Sequence, residues 1–274
     1  MTRLDAIRAH YRGEALRRGI NPRDVDVLLG DLTGRSLSYL VAHGEEQVDA
    51  GALQRLIERR YSGEPLQYIR GKADFYSREF FVDDRVLIPR PETELVVEAA
   101  VDVAPRNARV IDIGTGSGCI AISIERERPD LRVVGIDASL DALAVAAKNR
   151  ARLQSRVRLA ASDALDGVRG AFDLIVSNPP YIPEREIAGL QAEVRAHEPR
   201  SALTPGVRGT ELIERILDDA RRLLAADGRV ILEIGFDQEN AMREIAEAKQ
   251  YGIERFIPDL AGIARVIVLS AHAG

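Results

Sequence analysis

Val110-Ile111-Asp112-Ile113-Gly114-Thr115-Gly116-Ser117-Gly118 reads as a short apolar strand that runs into a glycine-rich turn. An apolar run of this length, bounded by glycines, is a buried strand, and a helix is expected from Ile120 to Glu127. Strands and helices alternate from Arg109 onward. Arg132 to Ile136 forms a second strand ending at Asp137, Leu140 to Arg152 a helix, Val157 to Ala160 a short third strand, and Phe172 to Ser177 a fourth. After a long connection, Ile182 to Gly206, come helix Glu211 to Ala225, strand Arg229 to Ile234 and helix Glu239 to Lys249. The last pair, Ile253 to Ile257 and Ile263 to Leu269, has no helix between its members and is expected to be an antiparallel hairpin at the sheet edge. Such alternation implies an α/β fold, a mostly parallel sheet with helices on both faces.

The glycine turn is suited to a ligand. Gly114, Gly116 and Gly118, with Thr115 and Ser117 between them, let the backbone turn sharply and approach a bound molecule closely. Asp137 follows by about twenty residues, at the end of the second strand, where an acid accepts ribose hydroxyl protons. A dinucleotide fingerprint would need glycine at 119, where Cys119 stands. The G-x-G-x-G pattern is more typical of enzymes using S-adenosylmethionine (SAM), which has no pyrophosphate to cradle. Ser162-Asp163-Ala164, after the third strand, is where such a fold contacts adenine; Asp163 is either an acceptor for the adenine amino group or a plain loop aspartate. Cys119 has no histidine nearby in sequence and reads as a packing residue.

A second motif ends the fourth strand. In Ser177-Asn178-Pro179-Pro180-Tyr181 two prolines stop the ladder, since neither has a backbone N–H. The result is a rigid ledge at a carboxyl strand end, the edge where open α/β sheets bind ligands. Asn178 offers an acceptor and an NH2 donor, the prolines offer carbonyls, and Tyr181 offers a flat face. Together they suit a planar group carrying an NH2. The plain alternative is a strand-ending turn with a surface tyrosine.

Residues 1–72 carry helical spacing throughout: Leu4, Ile7, Tyr11 and Ala15; then Val25, Leu28 and Leu29; then Leu37, Leu40 and Val41; then Leu53, Leu56, Ile57 and Tyr61. Asn21-Pro22 and Asp49 are helix-start signals, and Ser62-Gly63 is a stop. Four or so short helices make a partner-docking module. Phe75 to Ile88 changes period and suggests a β-hairpin, with Asp83-Asp84 as its turn and a linker over 73–90. Residues 91–274 then form the α/β domain, whose first helix opens at Glu92-Thr93-Glu94.

The totals narrow the function classes. The chain has 274 residues, one cysteine and four scattered histidines (His10, His43, His197 and His272). That pattern gives no internal disulfide and no metal-ligand spacing, and it suits a reducing, cytoplasmic setting. No run approaches the ~18–20 apolar residues of a membrane span, and Met1 to Asp5 lack an apolar signal core. A net charge of −5 argues against stable, sequence-independent nucleic-acid binding.

Several stretches carry a family resemblance: Gly63-Glu64-Pro65-Leu66-Gln67-Tyr68-Ile69, Leu87-Ile88-Pro89-Arg90-Pro91-Glu92-Thr93-Glu94, Asp112 to Gly118, Ser177 to Ile182, Glu198-Pro199-Arg200-Ser201-Ala202-Leu203, and Asp259 with Gly262 and Arg265. Over nearly its whole length the chain resembles the release factor glutamine methyltransferases, the PrmC/HemK family. The resemblance implies a small helical domain, a β-hairpin linker and a seven-stranded Rossmann-like SAM-dependent methyltransferase domain. It implies methyl transfer from SAM to the side-chain amide of the glutamine in the Gly-Gly-Gln motif of peptide chain release factors. It assigns Gly114 to Gly118, Asp137, Asp163 and Ala164 to the cofactor, and Asn178, Pro179, Pro180 and Tyr181 to the substrate ledge, with Asn178 also beside the cofactor. Arg90, Glu92 and Thr93 are expected to close over the methionine end of SAM, the alternative for Arg90 being a surface salt bridge. Some members carry tryptophan where Ala164 stands, so adenine stacking here is expected to be weaker or to come from another side chain. N-P-P-Y also occurs in enzymes that methylate amino groups of DNA or RNA bases. A ribosomal-protein glutamine is a further alternative acceptor.

Overall fold

The computed structural model describes residues 2–271; His272, the fourth histidine, lies outside them. Two compact units account for these residues, one comprising residues up to Gly71 together with Gln191–His197, the other Lys72–Leu190 and Glu198 onward.

The first unit is built from helices Leu4–Arg17, Arg23–Thr33, Leu37–Ala42, Ala50–Tyr61 and Leu66–Arg70. Their apolar stripes meet in one core holding Leu4, Ile7, Val25, Leu28, Leu29, Leu40, Leu53 and Ile57. Asp49 caps its helix by accepting from the N–H groups of Gly51 and Ala52, and Asn21 accepts from Arg23 N. The pairing of Thr2–Arg3 with Gln47–Val48 has no sequence signal, because two-residue strands carry no period. Arg60, buried, donates to Asp24 at 2.7 Å and to Glu193 at 2.8 Å. The second carboxylate ties helix Ala192–His197 to this unit.

The second unit contains a seven-stranded sheet. Its order is Gly252–Pro258, Ala264–Ser270, Leu224–Glu233, Phe172–Ser177, Arg109–Ile113, Arg132–Asp137, Arg158–Ala161. The last five run parallel; Ala264–Ser270 is antiparallel to both its neighbours, as the missing helix required. Two apolar cores cover the two faces, one holding Val110, Ile122, Leu174, Val176 and Val266, the other Ile111, Ile113, Ile175, Ile216 and Leu232. Adjacent residues such as Val110 and Ile111 face opposite cores, so a strand buried on both sides reads as a continuous apolar run.

Two expectations are corrected. The hairpin is Ala73–Phe75 with Arg78–Phe80, turning at Tyr76-Ser77, both with positive φ (48° and 57°). Val86 to Ile88 is not a strand: Asp83 accepts from Val86 N through its carbonyl, and Pro89 follows without an N–H. Phe75 and Phe80 of the hairpin pack edge to face at 6.0 Å within the first sheet core. Finally, helix Glu211–Ala220 stops five residues early, and the next strand already starts at Leu224. Phe172 N donates to Leu223 O and Phe172 pairs with Leu224, which draws this segment into the ladder.

Candidate functional site

The sheet has one topological switch point. From Arg109–Ile113 the chain proceeds outward through Arg132–Asp137 and Arg158–Ala161, then returns to the other side of Arg109–Ile113 as Phe172–Ser177. A crevice opens beyond the carboxyl ends of strands that part in this way. Register aligns what lies there. Ile113 pairs with both Ile136 and Ser177, and Ser177 pairs with Leu232. The next residue on each strand, Asp137, Gly114, Asn178 and Glu233, therefore forms one row across the crevice. Ser177 Oγ donates to Ile113 O at 2.7 Å and ties the two central strand ends together.

The glycine turn is held from below and at its side. Asp112, fully buried, accepts from Thr115 Oγ1 at 2.6 Å and from Ala121 N at 3.2 Å through one oxygen. Its other oxygen has no partner, and burial pushes its pKa up to about 7. Asp137 accepts from Gly116 N and Ser139 N, both at 2.9 Å, so it first shapes the turn and offers only its remaining lone pairs to a ligand. Gly114 and Gly116 both have positive φ, and a Cβ at Gly114 would meet nothing within 4 Å, which leaves that side of the turn open. Gly118 differs: a Cβ there would come within 2.9 Å of Ile122 Cδ1. The residues present thus fit an adenosine-type ligand: an open, glycine-lined backbone beside a carboxylate. Cys119 is buried and its thiol is pushed up to about 12 by burial, which suits packing and not nucleophilic work.

The other cofactor candidates are placed differently. The Asp163 carboxylate is 65% exposed and paired with Arg215 at 2.8 Å, so any contact to adenine is shared with that salt bridge. Ala164 is buried, with a φ of 47°, and Ser162 Oγ donates to its carbonyl. It offers no flat face. Arg90 donates to the buried Glu198, which also accepts from Ile88 N at 3.4 Å. This ion pair, made on a buried carboxylate, joins the proline-arginine stretch to the Glu198-Pro199-Arg200 stretch. Thr93 is 2% exposed, and its Oγ1 accepts from Asn178 Nδ2 at 3.0 Å. It serves the ledge directly.

Contacts from distant parts of the unit hold the ledge. Tyr181 OH donates to Glu233 Oε1 at 3.2 Å, and Gln238 Nε2 donates to Tyr181 O at 3.0 Å. Ile182 N donates to Leu203 O at 3.0 Å. Among the described residues nothing donates to the carbonyl of Pro179 or Pro180, or to Asn178 Oδ1. Glu233 is buried, and burial raises its pKa to about 7 against the opposing hydrogen bonds from Thr93 and Tyr181; Glu92 adds to the rise. Tyr181 is raised as well, by burial first and then by Glu233. Glu233 and Gln238 carry no sequence signal of their own. Only the register of Leu224–Glu233 beside Phe172–Ser177 brings them to the ledge.

Comparison with known proteins gives the family. Residues 14–71 match the family model for the PrmC N-terminal domain, and residues 91–206 match that for the methyltransferase small domain. The chain is 38% identical over 267 residues to the release factor glutamine methyltransferase of Salmonella typhimurium, covering 94% of this chain and 96% of that one. It belongs to the release factor glutamine methyltransferase family. The member from Koribacter versatilis is 41% identical over 238 residues, 84% of each chain. A solved methyltransferase from Pyrococcus furiosus shares the fold, with a TM-score of 0.54 at 21% identity over 72% of this chain and 91% of that one. In this family member the methyltransferase sheet presents the glycine turn and the Asn178 ledge on either side of one crevice. No helix among the described residues is long and apolar enough to cross a membrane, and no cluster of three or more His, Cys, Asp or Glu among them forms a candidate metal cage.

Proposed function

We propose that this chain is a SAM-dependent protein-glutamine N5-methyltransferase. It methylates the side-chain amide of the glutamine in the Gly-Gly-Gln motif of peptide chain release factors. The observation that carries this reading is that Asn178 Oδ1 and the carbonyl of the next residue, Pro179, accept no hydrogen bond among the described residues, one strand away from the open face of the glycine turn. Two acceptors on consecutive residues match the two N–H bonds of a primary amide. Bound in the turn, SAM supplies an electrophilic methyl carbon on a sulfonium.

An amide nitrogen is a poor nucleophile because its lone pair is delocalised into the carbonyl, and no group at the ledge is basic enough to remove its proton beforehand. The protein's contribution is orientation and stabilisation of charge. Asn178 Oδ1 and Pro179 O accept from the amide and favour the positive charge that grows on nitrogen. The same two contacts fix the direction of approach; orientation of this kind contributes up to ~7–11 kcal/mol in favourable cases. Tyr181 packs against the amide plane, held by Glu233 and Gln238. Asp137, with the N–H groups it aligns, holds the ribose side of the cofactor. Thr93 acts on Asn178, and Arg90 fixes the loop carrying Glu198. The helical unit docks the release factor away from its glutamine.

The test offers methyl-labelled SAM with a purified release factor, with its Gln-to-Ala variant at the Gly-Gly-Gln motif, and with ribosomal protein, RNA and DNA. Label should enter the intact factor alone. Equal labelling of the Gln-to-Ala factor, or labelling of nucleic acid instead, would overturn the assignment.

A further inference from the structure

Asn178 works only if its oxygen, and not its NH2, faces the amide to be methylated, and the ledge by itself does not decide which. The decision lies in counting hydrogens. A threonine hydroxyl has one. Thr93 Oγ1 already accepts from Asn178 Nδ2 at 3.0 Å, so its own hydrogen is left to point elsewhere, and the Glu233 carboxylate is close enough to feel it. Tyr181 also directs its single hydroxyl hydrogen to Glu233, at 3.2 Å. Glu233 thus accepts from Tyr181 through one oxygen and lies within reach of the Thr93 hydroxyl with the other. It sits one residue past Leu232, the ladder partner of Ser177, and so beside Asn178 on the adjacent strand. Its Oε2 is buried and accepts no hydrogen bond among the described residues, so it is an open acceptor for the Thr93 hydrogen.

We propose that Glu233 is a positioning residue that sets the polarity of the ledge: by accepting from Thr93 and Tyr181 it makes Thr93 an acceptor for the Asn178 NH2, and so turns Asn178 Oδ1 toward the substrate amide. This rests on the glutamine-methylation reading for its consequence in turnover, but not for the hydrogen-bond chain itself.

The charged and titratable groups that face Glu233 come from four elements: Glu92 beside Thr93, Tyr181 on the ledge, Arg265 on the antiparallel strand, and Cys119 at the helix start after the glycine turn. Burial dominates over them and brings the titration of Glu233 to about 7. The sign follows. Ionised, Glu233 accepts both hydroxyl hydrogens. Protonated, it carries a hydrogen of its own, and the Thr93 hydroxyl is released to donate to Asn178. Asn178 then presents Oδ1 to Thr93 and its NH2 to the substrate, donor against donor. Turnover should therefore fall as pH drops through about 7. Stability should move the other way. A carboxyl whose folded pKa is raised contributes most below its ordinary range, and that contribution is lost as pH rises through the folded value. Activity and stability thus respond to Glu233 in opposite directions, which a merely structural role would not produce.

The experiment compares wild type, Glu233→Gln and Thr93→Val. Single-turnover methyl transfer to a purified release factor is measured at saturating SAM from pH 6 to 9, with SAM affinity and melting temperature measured on the same samples. Glutamine puts an NH2 donor where the carboxylate accepted. Glu233→Gln should lose about 10²-fold in rate, the scale of one preorganised contact, and should lose the acid limb of the profile. Its SAM affinity should be unchanged and its melting temperature at pH 8 no lower than that of wild type. Thr93→Val should lose rate similarly, and the double variant should lose much less than the product of the two. A Glu233→Gln rate close to wild type overturns the proposal, as does a loss matched by equal losses of SAM affinity and stability. A second readout needs no acceptor. In protein labelled with 15N at asparagine, the Asn178 NH2 signal, identified by its absence from Asn178→Ala, should titrate with pH in wild type and stay fixed in Glu233→Gln. A fixed signal in wild type overturns the proposal whatever the substrate is. Absence of transfer by wild type alongside a titrating signal would instead overturn the methyl acceptor.

Discussion

The two halves of the crevice are built on opposite plans. The glycine turn is assembled from its own neighbourhood: Asp112 receives Thr115 three residues on, and Asp137 receives Gly116 across 21 residues. The ledge is assembled from afar. Thr93 reaches Asn178 across 85 residues, Glu233 reaches Tyr181 across 52, and Gln238 reaches Tyr181 across 57. The turn's main polar contacts are to its own backbone N–H groups, and it leaves an open face for a ligand. The ledge fixes side chains and, among the described residues, leaves the Pro179 and Pro180 carbonyls and Asn178 Oδ1 free. A half that shapes backbone around a cofactor acts in binding. A half that holds one amide side chain in one orientation acts while charge develops, and contributes to rate.

The sharpest way to break this contrast is at Asn178. Asn178→Ala should lose at least ~10²-fold in turnover, with the fold intact by circular dichroism, because alanine removes the acceptor and also strands the Thr93 hydroxyl. Near-normal turnover would reduce Asn178-Pro179-Pro180-Tyr181 to a strand-ending turn.

Two glycines sharpen the other half. Gly118→Ala places a methyl 2.9 Å from Ile122 Cδ1 at a φ of 82°, combining backbone strain with overpacking against a buried side chain. We expect a stability loss of roughly 2 kcal/mol or more by chemical denaturation. Gly114→Ala meets nothing within 4 Å, so its stability loss should be about 1 kcal/mol, from the left-handed φ alone. Its methyl, however, projects into the open side of the turn, and SAM affinity should fall more than stability does. Equal stability losses in the two variants would mean that the open face has been misread.

How much of this was legible in the sequence follows the same division. The strand Phe172–Ser177 and the helix Leu140–Arg152 begin and end where periodicity places them, since one is a continuous apolar run stopped by prolines and the other is capped by Ser139. The glycine turn and Asp137 were legible because local spacing determines their geometry. The hairpin was half legible: Phe75 and Phe80 marked it, but Tyr76-Ser77 lacks the Asn-Gly signal of a tight turn. The end of helix Glu211–Ala220 was not legible, because strand pairing with Phe172 overrides an apolar helical pattern. The contact of Thr93 with Asn178 and the place of Glu233 were not legible, since the first comes from the short helical turn Pro91–Thr93 and the second from the sheet register. Asp163 stays open between adenine acceptor and plain loop aspartate in the sequence, which shows its position after a strand and not the Arg215 that pairs with it.

The smallest effect expected is a trend with pH. Asp112 is raised from the ordinary aspartate range to about 7, mainly by burial. Its contribution to stability is full below about pH 4 and is lost as pH rises through about 7. Asparagine at 112 does not titrate. The unfolding free energy of wild type relative to Asp112→Asn should therefore fall steadily between pH 5 and about 7 and level off above it. A difference that is constant with pH would show that Asp112 remains ionised throughout and that its unpartnered oxygen is solvated.

The division of labour itself is tested most directly by measuring SAM affinity and single-turnover rate on the same preparations of Asn178→Ala and Asp137→Ala, with a purified release factor as acceptor. A crossed pattern is expected. Asn178→Ala keeps its SAM affinity and loses ~10²-fold in rate at any SAM concentration. Asp137→Ala, which frees Gly116 N and Ser139 N, loses at least ~10-fold in affinity, the size of one charge-assisted contact, and recovers most of its rate when SAM is saturating. Parallel losses of affinity and rate in both variants would contradict it, and would make the turn and the ledge one undivided site.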